Sequence, residues 1–146
     1  MMFKTHAIFG LFLALLTFNY FNLNRYLFIS ITFISAIALD IDEENSYIGY
    51  RTKPLSNIIN IIFKHRGFIH SFLFISILSF IIWLYFGNYF IPFLIGTISH
   101  LFLDSLTPMG IKAFYPFNFK IRGIFKTSGL IDHLLFFGII ILSLIH

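Results

Sequence analysis

Apolar residues gather along the chain into runs separated by short polar breaks. The five runs are Ala7–Phe21, Tyr26–Leu39, Phe68–Phe86, Tyr89–Leu106 and Leu130–Ile145. Apolar stretches this long predict helices, since a buried strand is complete within about four to eight residues. A helix needs about 20 residues to cross a ~30 Å hydrocarbon core. Against a usual lower limit of about 17 residues, the third and fourth runs pass comfortably, the first and last are marginal, and the second is short. Asn22–Arg25 predict a turn between the first pair, and Gly87-Asn88 a turn between the third and fourth runs. Thr107-Pro108 ends the fourth, because proline disfavours helical geometry in the residue before it and cannot continue the hydrogen-bond ladder.

Between the second and third runs lies a more polar stretch, Ile41–Lys64. Pro54 suits a helix start, and Leu55, Ile58, Ile59 and Ile62 follow at helical spacing. This predicts a short amphipathic helix lying in the membrane interface. The last loop, Lys112–Lys126, carries Tyr115-Pro116-Phe117 and predicts an ordered flap near the headgroups.

Composition sharpens this picture. The chain is 58% hydrophobic and 11% charged, where ordinary soluble domains carry about 25% charged residues. With a mean hydropathy of +0.89, the reading is an all-α membrane protein: one domain, residues 1–146, forming a bundle of about five transmembrane helices. The 22 Phe, alongside abundant Ile and Asn, fit a codon bias, so no aromatic stripe is read as a binding surface. There is no cysteine, which excludes disulfides, thiolate metal sites and a cysteine nucleophile. The net charge of +4 is modest, and no basic helix or stacking platform points to nucleic acid. No small-x-small cleavage pattern follows the first run, so that run is expected to remain as an anchor.

The placement of charge predicts an orientation. With five spans, Lys4, the loop residues Arg51, Lys53, Lys64 and Arg66, and Lys112, Lys120, Arg122 and Lys126 share one side, against Arg25 opposite. The positive-inside rule puts that side, and the N-terminus, in the cytoplasm. On this arrangement His6, Asp40, Asp42, His65, His70, His100, Asp104, Asp132 and His133 all fall at the cytoplasmic ends of their spans. Ionisable groups near hydrocarbon are costly, so they face a bundle interior and mark a functional site.

Three clusters carry the candidate chemistry. His100 and Asp104, four apart in the fourth run, share a helix face; alone they could equally be a buried hydrogen-bonded couple. His65-Arg66-Gly67-x-x-His70-Ser71 places two imidazoles around a flexible glycine, with Arg66 able to fork onto a phosphate or carboxylate. Asp40-x-Asp42 offers two carboxylates in a turn, a weak signal by itself because solvated capping acids are common. Mixed imidazole and carboxylate donors suit zinc, manganese or iron. Asp104 can act as a ligand or as an orienting partner of His100, and spacing leaves both open. His6 taken singly reads as a polar N-terminal residue, and Asp132 as an acid favourable to its helix dipole. Ser71, Ser105 and Thr107 are hydroxyls that in helices usually bond their own backbone.

Taken together, these motifs resemble the family of membrane-bound metal-dependent hydrolases, named for a predicted activity, that includes the LexA-regulated inner-membrane proteins. The resemblance runs through His6, Asp40-Ile-Asp42 with Ser46 and Gly49, and His65-Arg66-Gly67-x-x-His70-Ser71. It continues through Ser99-His100-x-x-x-Asp104-x-x-Thr107-Pro108-x-Gly110 to Tyr115-Pro116-Phe117 and Gly129-x-x-Asp132. This chain has Leu39 where the family commonly has a proline.

The expected function is a metal-dependent hydrolase in the cell inner membrane, its site on the cytoplasmic side. It would act on a membrane lipid or other small amphiphilic ester, above all a phosphoester. One or two divalent ions, zinc first, would be held by His70, His100 and Asp40, with Asp104, His65 and His6 in or near the coordination shell. Such an ion acidifies a bound water. Asp42 or Asp104 would serve as general base, and Arg66 would stabilise phosphoryl charge. Two further readings use the same residues: a metal-ion or proton transporter, and a non-enzymatic membrane assembly protein. Oligomeric state is left open.

Overall fold

A computed structural model describes residues 1–42, 46–54, 57 and 67–145. Within them the chain forms helices α1 (Phe3–Thr17), α2 (Arg25–Ala38), α3 (Tyr47–Arg51), α4 (Phe72–Phe86), α5 (Phe90–Ser105) and α6 (Leu130–Ile145). Among the described residues there is no strand; Ile111 and Ile121 form an isolated antiparallel bridge. The expected interfacial helix after Pro54, like His65 and Arg66, falls largely or wholly outside the described residues.

The helix ends follow from local chemistry. Asn24 caps α2, its side-chain oxygen accepting from the backbone N–H groups of Tyr26 and Leu27, both at 3.1 Å. Ser71 caps α4, its hydroxyl accepting from the Phe74 N–H at 3.2 Å. That cap corrects the third predicted run. Phe68–His70 form a separate 3₁₀ turn and Ser71 is extended, so α4 begins only at Phe72. Past the end of α5, the Thr107 hydroxyl donates back to the Asp104 carbonyl at 2.8 Å.

Phe72–Ser105 is a helical stretch of 34 residues, apolar enough to cross a membrane, and Leu130–Ser143 is a shorter apolar helix. The long stretch is interrupted at Gly87, whose φ of +59° suits glycine and breaks the ladder. On either side of that break α4 and α5 pack against each other.

At the centre, α2 packs on α5 and α1, and α1 also meets α5 and α6. Close approach is possible because the facing residues are small. Gly10 of α1 abuts Ala36, and Gly96 of α5 abuts the Ser35 hydroxyl and the Thr32 carbonyl. Small residues at crossings are the usual means of packing helices where lipid removes the hydrophobic drive.

The polarity of the bundle is inverted relative to a soluble protein. Thr5, His6, Thr32, His70, His100 and Asp104 are buried, while Phe80, Trp83 and Leu134 are 58%, 50% and 61% exposed. An apolar exterior around a polar interior is what lipid solvation selects.

The segment between α5 and α6 folds back over the polar end of the bundle. The N–H groups of Gly123 and Phe125 donate to the Thr107 and Leu106 carbonyls at 3.1 and 3.0 Å. The Phe72 N–H donates to the Ala113 carbonyl at 2.9 Å, which ties this flap to the start of α4. Ile111 and Ala113 pack with Leu39, Ile69, Ile75 and Leu101 in an apolar core. The Tyr115-Pro116 peptide bond is cis.

Candidate metal centre

His6 sits in the first turn of α1, Asp40 and Asp42 just after α2, His70 before α4, and His100 and Asp104 in the last turns of α5. The termini of four helices therefore meet in one buried place.

Oxygen atoms stand behind both central imidazoles. His100 Nδ1 lies 2.7 Å from the Ala36 carbonyl. A carbonyl only accepts, so Nδ1 carries a proton, and in the neutral ring Nε2 presents a lone pair. His70 Nδ1 faces Asp42 Oδ2 at 3.2 Å, an ion-pair contact behind the ring. The two Nε2 atoms are 3.2 Å apart. Two lone pairs at that separation repel unless a proton or a metal cation lies between them.

Carboxylates surround that point. His100 Nε2 is 3.7 Å from Asp40 Oδ1 and 3.6 Å from Asp104 Oδ2, and His70 Nε2 is 3.8 Å from Asp104 Oδ2. Donor atoms of Asp40, His70 and His100 lie within 4.8 Å of one another, and the same holds for His6, His100 and Asp104. Buried carboxylates need opposite charge nearby. One cation in contact with Asp104 is the Met1 amino group, 2.6 Å from Oδ1. The donor set thus fits a hard or borderline divalent ion, and the carbonyl and carboxylate behind the two histidines are the supports that metal-ligating imidazoles require.

His6 lies on the other side of Asp104. Its Nε2 is 3.2 Å from Asp104 Oδ1, and its ring stacks on that of His100 with centroids 3.9 Å apart and planes 13° apart. His6 is 1% exposed, and neither ring nitrogen has a hydrogen-bond partner.

Of the residues singled out from sequence, His6, Asp40, His70, His100 and Asp104 converge, and Asp42 stands behind His70. Asp132 and His133 stand outside that cluster of donors. His133 is exposed. Asp132 is buried but accepts from the Thr5 hydroxyl at 2.6 Å, the Met2 N–H at 3.0 Å and the Ser128 N–H at 2.9 Å. It holds the start of α1 against the start of α6 and so positions His6. Spacing carries no sign of this, because Asp132 and Thr5 lie at opposite ends of the chain. The Ala36 carbonyl is equally invisible, since a backbone acceptor leaves no residue-type signal. Ser46 belongs to the support as well: its hydroxyl donates to the Asp40 carbonyl at 2.7 Å and accepts from the Gly49 N–H at 2.9 Å.

The chain is 33% identical over 121 residues to the uncharacterized protein YvsG of Bacillus subtilis, covering 82% of this chain and 76% of that one. It is 33% identical over 96 residues to the inner membrane protein YdjM of Escherichia coli, and equally to that of Shigella flexneri. Those matches cover 61% of this chain and 49% of each relative, so the chain spans about half the length of the YdjM proteins it matches. No solved structure matches significantly. The YdjM inner membrane protein family matches residues 1–145, essentially the whole inverted bundle and its buried His/Asp cluster, and the chain belongs to that family.

Proposed function

We propose that this protein is a metal-dependent hydrolase of the inner membrane, acting at the cytoplasmic interface on a lipid or other amphiphilic phosphoester. One observation carries the reading: His70 Nε2 and His100 Nε2 face each other at 3.2 Å with both opposite nitrogens turned to acceptors. His70, His100, Asp40 and Asp104 would hold a divalent ion, zinc by preference for this donor set, with manganese or iron as alternatives. A bound ion of this kind supplies a water acidified towards neutrality and a Lewis acid for a phosphoryl oxygen.

The chain's own groups have separable tasks. Ala36 holds His100 in the tautomer that presents Nε2, and Asp42 stands behind His70. Asp104 turns one oxygen, Oδ2, to the shared space beside the Nε2 atoms of His70 and His100. The flap tied to Phe72 through Ala113 limits bulk water above the site. The five-span arrangement belongs to the same proposal, with the cluster at the cytoplasmic ends of the spans.

Transport is less well supported, because the hydroxyls farther along the bundle are taken up locally. Thr32 donates to the Phe28 carbonyl at 2.9 Å and Thr97 to the Phe93 carbonyl at 2.9 Å. They do not form a relay through the bundle.

The test is elemental analysis of protein purified in mild detergent, followed by a phosphoester and phospholipid screen. Wild type should carry stoichiometric metal and hydrolyse an amphiphilic phosphoester. His100→Ala and Asp40→Ala should insert normally yet lose both metal and activity. Full metal occupancy in both variants would reject the site.

A further inference from the structure

We infer that the centre holds a second divalent ion, bound between His6 Nε2 and Asp104 Oδ1, so that Asp104 bridges two cations. This rests on the metal reading above for the first ion.

The geometry is a paired one. The two oxygens of Asp104 are divided between two parallel imidazoles: Oδ1 faces His6 Nε2 at 3.2 Å, and Oδ2 faces His100 Nε2 at 3.6 Å. The rings stack with centroids 3.9 Å apart. Ions seated one against each ring would be separated by roughly the same spacing, and two-metal hydrolytic sites keep their ions about 3.5–4 Å apart. A bridging carboxylate with one imidazole on each oxygen is how such spacing is held.

A second observation points to a ligand at this place. His6 is 1% exposed, and both of its ring nitrogens lack a hydrogen-bond partner. Leaving a buried polar group unsatisfied is costly, so such a group usually marks an absent partner. A cation at Nε2 satisfies it and takes the place on Asp104 Oδ1 that the Met1 amino group holds at 2.6 Å. The chain also spends structure on placing this imidazole, because Asp132 grips both neighbours of the α1 start, Met2 and Thr5. The chemical consequence is a narrower substrate class: paired ions clamp the attacking and leaving oxygens of an in-line displacement, which favours phosphoesters over carboxylic esters.

The test counts ions and asks whether they touch. Full-length protein in mild detergent is stripped with chelator, reloaded with Mn²⁺, and examined by elemental analysis and electron paramagnetic resonance. Wild type should bind two Mn²⁺ per chain with the spectrum of an exchange-coupled pair. His6→Ala should bind one, with an uncoupled spectrum. One uncoupled ion in wild type would overturn the inference, leaving the Met1 amino group as the cation on Asp104 Oδ1 while the first site stands. No ion in wild type would overturn both readings. Two coupled ions retained in His6→Ala would overturn the second site alone. If His6→Ala fails to insert, His6→Gln takes its place, and the wild-type count decides by itself.

Discussion

Asp42 is fully buried and faces the nitrogen of His70 that points away from the shared space. A general base must reach the water it deprotonates, so this placement gives Asp42 a positioning task rather than that of a base. Partners of this kind typically change metal affinity by about 10–100-fold when removed. Asp42→Asn is therefore expected to weaken metal binding by about that factor, measured by competition with a chromogenic chelator, while His70 remains. Because a ligand stabilises the folded state in proportion to the logarithm of its concentration over its dissociation constant, the melting temperature gained on adding metal should shrink. The metal-free melting temperature should stay close to wild type. A large drop in the metal-free protein with unchanged affinity would make Asp42 a structural residue only.

At the scale of elements, the approach of α2 to α5 decides whether His100 can bond the Ala36 carbonyl. Gly96 lies one turn before His100, and a Cβ there would run into Ser35 and the Thr32 carbonyl. Overpacking of this sort costs about 1–3 kcal/mol. Gly96→Ala should lower the melting temperature in detergent and also reduce metal affinity, since the helices separate where the His100 support is made. Gly138→Ala is the control: nothing lies within 4 Å of its added carbon, and alanine in an exposed helix interior is favoured by up to about 1 kcal/mol. Equal losses in both variants would show that helix–helix distance is not the cause. Much at this scale is legible in the chain itself. Long apolar runs locate the helices, Thr107-Pro108 marks the end of α5, and the four-residue spacing puts His100 and Asp104 on one face. Other features escape such reading. The third run looks continuous, yet Ser71 caps a helix inside it, because a serine among apolar residues fits either a helix interior or a cap. His6, though its place at a span end puts it near the ion, gives no sign in the sequence of its stack on His100. Asp132 looks like a dipole-friendly acid until tertiary packing brings Thr5 to it. These are contacts between distant segments, and periodicity records only neighbours.

The whole molecule poses a question of thickness and direction. Helices α1, α2, α4, α5 and α6 contain 15, 14, 15, 16 and 16 residues. At about 1.5 Å per residue each spans roughly 21–24 Å, less than a ~30 Å hydrocarbon core. In the proposed five-span arrangement a bundle this short would be accommodated by local thinning of the bilayer, which would bring the His/Asp cluster and the flap closer to the headgroups of one leaflet. That leaflet matters, because a site on lipid phosphoesters meets only the headgroups on its own side. In the proposed five-span arrangement, the distribution of Lys and Arg would put that leaflet on the cytoplasmic side. The chain contains no cysteine, so single replacements report orientation without background. Asn88, in the turn between α4 and α5, and Lys120, in the flap, are both exposed. In intact cells a membrane-impermeant maleimide should label Asn88→Cys, whereas Lys120→Cys should react only after the membrane is opened. The reverse pattern would place the cluster at the outer leaflet and move any substrate there with it. Labelling of both in intact cells would mean that Asn88 and Lys120 share a side, and the reversal at Gly87 would then not be a membrane hairpin.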